Sequence, residues 1–508
     1  MDRRRFLHTL LATATTATLG AGLLRSAPVL ANESARFAEG LKRYPWLVGW
    51  RSVQSETLGP ATVELQGRLP QGLAGTPYRN GPAWTERNGF RYDHWFDGDG
   101  MVHGWRFDGN GQLTHRGRMV ATPKLTREQQ AGRFRYMAAG TRVPNLEMVR
   151  NNDDANAANT SVTMINGRLF ALCEAGSAFE LDPDQLDTLG PVTWRPDLAS
   201  LPFSAHPLVD RDGTVWNFGA TMLMGGAGLL VWKIGADAQL QSASLVECPA
   251  PGYLHAFAMT DEHLLFVMMP FDQDEAADSF FERMHFAPQR PCSIAVVPKA
   301  DPGKARWFEA PFAAIYHFGD AFQHKDRIVL RAVRHDDMDR ARSPMKEAMA
   351  GDGAHAVNSH ATLLELHLDL GSGKAHWETT GVAGIEFPLF DSRTAGNAGA
   401  RLYAPTLEGQ HTAPYFNAVA GFDVAAGTRQ VWRYGADILA EEHVFVPRPG
   451  SVDANDGWLV GTLLDASTQR SGIAVLDARR IEDGPLAQAW LPYAVPLGFH
   501  GTFAARAG

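Results

Sequence analysis

One strand-turn-strand theme recurs along this chain, and it limits the available folds more than any other feature. An apolar strand ends near an aspartate, turns, and continues into a second strand rich in aromatic or branched residues. It runs from Ala178 through Asp182 to Thr188, from Leu363 through Asp369 to Trp377, from Ala420 through Asp423 to Trp432, and from Ile473 through Asp477 to Trp490. An aspartate at such a place bonds back to the turn backbone. Short strands between Gly, Asp, Asn and Pro turns point to an all-β architecture, and hairpins at blade-like distances favour a β-propeller over a sandwich. The repeats are too degenerate to count blades. With 508 residues, 45% of them hydrophobic, the chain can bury a large core.

Outside the hairpins, Glu33 to Ser52 is expected to be helical, with Phe37, Leu41, Tyr44, Leu47 and Trp50 on one face and Pro45 as a break or kink. Residues 1–31 read as an export signal: Arg3-Arg4-Arg5 precede the largely apolar run Leu10 to Leu24, and Val29-Leu30-Ala31 offers a cleavage site. The stretch from Asp2 to His8 matches the twin-arginine pattern, which implies a periplasmic protein exported already folded. Residues 32–508 are then one domain. Cys173, Cys248 and Cys292 are too few and too scattered for a disulfide framework or a thiolate zinc site, and are expected to be buried free thiols. A formal net charge of −9 without a basic stripe argues against a nucleic-acid partner.

Two stretches break the strand rhythm, Asp272 to Arg290 and the charge-dense Arg334 to Ala350. Long insertions of this kind often shape a binding site over one face of a scaffold. Phe280, Phe281, Met284 and Phe286 make the first a candidate lipid-touching entrance, or equally an amphipathic helix packed on the propeller.

Eighteen histidines are present, and His206, His255 and His317 follow one another at spacings of 49 and 62 residues, roughly a blade apiece. Inner strands of successive blades converge on the propeller axis, so side chains far apart in sequence can meet there. An all-imidazole site suits iron, copper or zinc rather than calcium or magnesium. Spacing does not identify the metal, and taken singly any of these histidines reads as an ordinary core or surface residue.

A resemblance over essentially the whole mature chain goes further. Tyr78-Arg79-Asn80-Gly81-Pro82, the run His94 to His103, Asn159-Thr160-Ser161-Val162, Leu169 to Gly190, Ala205-His206-Pro207, Leu254 to Thr260, Tyr316-His317-Phe318 and Phe499-His500-Gly501 stand in the order of the carotenoid cleavage oxygenase motifs, and the chain resembles that family. The resemblance implies a seven-bladed propeller capped by helices and loops over the metal-bearing face. It implies one iron(II) on His206, His255, His317 and His500, with dioxygen as co-substrate and no organic cofactor. Glu174, Glu386 and Glu442 match the glutamates behind three ligands and would orient His255, His317 and His500; Glu441 is a register alternative for Glu442. His206 is left without an acidic partner, and His94 and His103 support the fold around the Gly-Asp-Gly turn. The chain departs from the family pattern at Ala256 and at Gly319-Asp320-Ala321-Phe322.

The activity implied is cleavage of a C=C bond in a carotenoid or apocarotenoid-type polyene to two carbonyl products. The alternative is a lignostilbene-type dioxygenase, whose branch holds a phenol through a Tyr and a Lys that here match Tyr92 and Lys124. A non-oxidative isomerase and a non-catalytic ligand-binding propeller are further readings.

Overall fold

A computed structural model describes residues 31–223, 226–353, 361–409, 411, 413 and 415–506. The export signal lies outside the described residues. Seven antiparallel sheets of four to six strands stand in sequence around a common axis, the seven-bladed propeller expected from the resemblance. The first blade contains Thr57–Thr62, Gly75–Trp84, Asp99–Phe107 and Leu113–Met119. The next five begin at Ser161, Leu208, Gly252, Ala314 and Leu389, and the seventh holds Ile438–Pro447, Gly457–Asp465, Arg470–Asp477 and Pro485–Trp490.

The hairpins marked by Asp182, Asp369 and Asp423 form the outer edges of the second, fifth and sixth blades, and the one marked by Asp477 lies in the outer part of the seventh. Each aspartate accepts from the turn backbone, for example Asp369 Oδ1 from Ser372 N at 2.7 Å and Asp423 Oδ1 from Ala426 N at 2.9 Å. The ring closes by exchange of its ends. Gly501–Ala505 pairs with Gly75–Trp84 as the innermost strand of the first blade, while Glu64–Gly67 pairs with Pro485–Trp490 at the outer edge of the seventh.

Each strand offers alternate side chains to the blades on either side. Phe170 and Leu172 pack with Val215 and Trp232 of the third blade, whereas Leu169 and Ala171 pack with Tyr78 and Val102 of the first. Likewise Leu402 and Ala404 join Val333 and Leu363, and Tyr403 joins Leu459 and Leu463. Separate apolar clusters of this kind fill the gaps between neighbouring blades, and they leave the inner strands facing the axis.

The expected helix from Glu33 to Ser52 is two elements. An α-helix, Ala31–Arg43, stops before Pro45, and a 3₁₀-helix, Pro45–Trp50, follows, because proline has no N–H to continue the ladder but suits a first helical position. The segment from Arg334 begins as the end of a strand, Arg327–His335, and turns into a helix, Met338–Met349. Trp46, Leu47 and Trp50 pack with Met345, Ala348 and Met349. The insertion from Asp272 is not a helix: Met284–Phe286 pairs with the end of His263–Gln273. Phe281 and Met284 are buried, and of the four apolar residues Phe280 alone is strongly exposed, at 46%, so the run folds inward instead of offering a broad apolar surface. Among the described residues no helix is long and apolar enough to cross a membrane. The cysteines are free, but only Cys292 is fully buried; Cys173 and Cys248 are partly accessible.

Gly100, at the start of the strand Asp99–Phe107, sits against the Ala158 carbonyl and the Asn159 backbone, with its N–H bonded to Ala157 O at 2.9 Å. A methyl group there meets backbone rather than a flexible side chain. Gly100→Ala is expected to destabilise by about 1–3 kcal/mol, measured as a lower denaturation midpoint; an unchanged midpoint would contradict this packing.

Candidate metal centre

Four blades each deliver one histidine to the axis. His206 precedes the inner strand Leu208–Val209, His255 lies between Gly252–Tyr253 and Ala258–Met259, His317 is within Ala314–His324, and His500 precedes Gly501–Ala505. The other three blades each deliver a glutamate: Glu174 after Arg168–Leu172, Glu386 before Leu389–Phe390, and Glu442 within Ile438–Pro447. Pairing registers shift around His317 and around Glu441-Glu442. Such bulges re-aim a side chain that regular alternation would send elsewhere.

One nitrogen from each imidazole lies within 4.8 Å of the other three. His206 Nε2 is 2.8 Å from His255 Nε2, and His317 Nε2 is 3.1 Å from His500 Nε2. Adjacent nitrogens about 2.1 Å from a shared metal are themselves about 3 Å apart. His317 Nδ1 donates to Glu386 Oε2 at 2.6 Å, His500 Nδ1 donates to Glu442 Oε1 at 2.9 Å, and His255 Nδ1 donates to Glu174. With its hydrogen on Nδ1, each of these imidazoles presents a bare lone pair at Nε2. Facing lone pairs need a cation between them. A proton is disfavoured, since burial pushes His500 down to about 4 and holds His206 well below the usual imidazole range, with the neighbouring histidines adding to the effect on both. The donor set therefore fits a borderline transition metal.

The glutamates are themselves held. Glu386 accepts from His335 Nε2 at 2.6 Å and from Phe387 N at 2.6 Å. Glu442 accepts from Gly501 N at 2.8 Å and Arg79 Nη1 at 3.3 Å, and Glu174 from Tyr253 Oη at 3.2 Å. Burial alone would raise the carboxyls of Glu386 and Glu442. For Glu386 the opposing histidines, His317 and His335, win and hold it well below the ordinary range; for Glu442, His500, Arg79 and the Gly501 N–H also outweigh burial and lower it. Glu441, the alternative register, instead accepts from Gly498 N at 2.5 Å. Among the described residues no carboxylate bonds His206.

His94 and His103 stand apart from this cluster. His94 Nδ1 accepts from Phe96 N at 3.1 Å, and His103 Nδ1 pairs with His115 Nε2 at 3.2 Å. Asp320, at one departure from the family pattern, pairs with Arg331 Nη1 at 3.0 Å. His335, Tyr253 and Arg79 were not singled out from sequence as partners of the glutamates. Arg79 alone carried a signal, its place in the Tyr-Arg-Asn-Gly-Pro motif.

A cavity of about 390 Å³ lies over the centre, walled by Phe96, Ala138, Phe280, Phe281, Tyr316, Met345, Phe387 and Phe499 among others, with His255, His317 and His500 in its lining. Both interruptions of the strand rhythm contribute to that wall. Lys124 also lines it and is buried, not a surface residue: Nζ donates to Asp99 Oδ1 at 2.7 Å, Glu128 Oε2 at 2.9 Å and Tyr92 Oη at 3.2 Å. Tyr92 is buried and stacks on Phe134.

A propeller with imidazoles on its axis, carboxylates locking them and an apolar chamber above is the scaffold of a histidine-ligated metalloenzyme. The chain belongs to the carotenoid cleavage oxygenases: the family model described as retinal pigment epithelial membrane protein matches residues 50–505. It is 26% identical to the apocarotenoid-15,15'-oxygenase of Synechocystis over 90% of this chain and 96% of that one. It is 27% identical to lignostilbene-alpha,beta-dioxygenase isozyme III of Sphingomonas paucimobilis over 87% and 93%. The crystal structure of the cobalt-substituted Synechocystis enzyme superposes with a TM-score of 0.82 at 25% identity, covering 91% of this chain and 98% of that one.

His255→Ala is expected to abolish metal uptake with the fold retained, read by metal analysis beside circular dichroism. Glu386→Gln is expected to keep the metal but to weaken its affinity about 10 to 100-fold, the usual cost of losing such a partner. Unaltered uptake in both variants would refute the assignment.

Proposed function

We propose that the protein is an iron(II) dioxygenase that cleaves a C=C bond of a carotenoid or apocarotenoid-type polyene into two carbonyl products. The observation that carries this is the convergence of four imidazoles, three of them locked by glutamates, beneath an apolar cavity. His206, His255, His317 and His500 would hold the iron, whose role when bound is to activate dioxygen. The chain's own residues do the rest. Glu174, Glu386 and Glu442 keep three Nε2 atoms unprotonated and aimed inward. Phe387 and Phe499 exclude water beside the ligands; the Phe387 ring lies 5.1 Å from that of His317 and 5.0 Å from that of His500. The apolar walls would align a long hydrocarbon, and no side chain need act as nucleophile or general acid.

A polyene suits the cavity better than a phenolic stilbene. The Lys124 ammonium has three hydrogens and three partners, so it has none to offer a phenolate unless Asp99, Glu128 or Tyr92 is displaced. Tyr92 Oη accepts from that ammonium, and Tyr92 is not among the described residues that line the cavity. Phe280, the strongly exposed residue of its run, is the one that would meet a membrane as the substrate enters. The Arg-rich start of the chain supports a periplasmic location by the twin-arginine route.

The test is to incubate iron-loaded protein in air with an apocarotenal and a 4-hydroxystilbene, identify products by mass, and repeat under isotopically labelled dioxygen. Two aldehydes from the polyene, each carrying label, are expected. Cleavage of the stilbene alone, isomerisation without oxygen uptake, or no turnover with any polyene would sink the proposal.

A further inference from the structure

Three acidic residues line the cavity, Asp97, Glu174 and Glu386. The two glutamates bond to His255 and His317, but Asp97 has other partners. It is buried, and a buried charge is unfavourable unless it is hydrogen-bonded. Both of its oxygens go to one loop. Oδ1 accepts from Ala139 N at 2.7 Å and Gly140 N at 3.0 Å, and Oδ2 accepts from Thr141 Oγ1 at 2.6 Å. Thr141 Oγ1 in turn accepts from Asp93 N at 2.7 Å, so the loop is tied to both ends of the segment 93–97. The approach is close because residue 140 is glycine: a methyl group there would lie 2.5 Å from His94 Cβ.

This loop has no regular structure of its own, since no strand or helix lies between Pro123–Ala131 and Asn152–Ala155. Long loops of that kind are often binding loops, and something other than a ladder must hold them. Its carbonyls carry the restraint further. Ala138 O accepts from Phe280 N at 3.3 Å, and Ala139 O accepts from Phe281 N at 2.8 Å. All four residues line the cavity. The Phe281 ring lies 5.0 Å from that of His94 and 5.9 Å from that of Phe96, with the Arg342 guanidinium 3.9 Å from its centre. Arg342 Nε donates to Tyr316 Oη at 2.9 Å, and Tyr316 directly precedes the ligand His317. A continuous path of contacts thus runs from Asp97 through the wall to the edge of the metal centre.

We propose that Asp97 is a positioning residue for the substrate: it latches the loop 138–141, and through it Phe280 and Phe281, at the separation from the metal centre that fits the substrate chain. The inference rests on the reading of this cavity as the substrate site. Asp97 touches no reacting atom. Its carboxylate fixes the width of the space in which the double bond must lie.

The experiment compares full-length wild-type protein with Asp97→Ala and Asp97→Asn, by hydrogen exchange and, after iron loading, by turnover of an apocarotenal. Asparagine keeps an Oδ1 acceptor for both N–H groups and offers an Nδ2 donor to Thr141 Oγ1; alanine offers neither. In Asp97→Ala, amide exchange at 139–140 and 280–281 is expected to quicken about tenfold or more, as loss of two or three net hydrogen bonds allows. Metal uptake should stay at the wild-type level. The kinetic loss should appear as a rise of about fivefold in KM, with kcat within about twofold. Asp97→Asn should restore both exchange and KM. Arg142→Ala, which removes the exposed Arg142–Glu282 pair across the same two segments, should alter neither. Wild-type exchange at 280–281 in Asp97→Ala, a loss in kcat alone, no recovery in Asp97→Asn, or an equal effect of Arg142→Ala overturns the latch. If Asp97→Ala does not fold, Thr141→Val, which lacks the hydroxyl joining Asp97 to Asp93, takes its place under the same criteria. Should wild-type protein fail to turn over the apocarotenal, the polyene reading falls and exchange alone decides the latch. Should turnover proceed while exchange is unmoved, the latch falls and the polyene reading stands.

Discussion

An imidazole has two nitrogens, and a four-histidine centre works only if each ring turns the right one inward. In this propeller the hydrogen bond from Nδ1 to a carboxylate, buried for Glu386 and Glu442 and partly exposed for Glu174, makes that choice for His255, His317 and His500. The bond does more than orient. It places the ring hydrogen away from the axis, and it matches a buried anion to the positive charge the centre will hold. The rest of the architecture serves that arrangement. Seven blades supply seven side chains, four imidazoles and three carboxylates, and the glutamates come from the blades that give no ligand.

Local regularity gives way where the centre needs it. The bulge in Ala314–His324 and the one in Ile438–Pro447 put His317 and Glu442 out of simple alternation. Phe387 adopts a left-handed φ of 50°, uncommon for an aromatic residue, while its N–H closes onto Glu386. Strain of this kind persists where the surroundings over-determine it, and it clusters at functional sites. Regular packing between the blades supplies the restraint.

Much of this is legible in the amino-acid sequence. The Asp-turn hairpins could be read because both their hydrogen bonds and their pattern are local. The ordered motifs carried the four histidines that converge and the three glutamates that bond them, although the choice of Glu442 over Glu441 depended on a bulge that no local pattern encodes. Pairings such as Glu64–Gly67 with Pro485–Trp490 were hidden, since nothing local in a four-residue strand says which distant edge it completes. The fate of the Phe280 to Phe286 run was hidden for a similar reason: periodicity marks an apolar segment but not the surface that covers it. His335 and Tyr253 reach the glutamates from other strands.

The exchange of ends at the first and seventh blades also sets an order of events during synthesis. Five of the seven axial side chains, from Glu174 to Glu386, lie in the middle of the chain, but Glu442 and His500 come late, and His500 abuts the last strand of the ring. Without His500 and the strand that follows it, the first blade would lose its innermost strand and the centre would keep three imidazoles. Closure of the ring and completion of the histidine set therefore depend on one and the same segment, so a propeller that has not closed would also be one that cannot offer the full donor set.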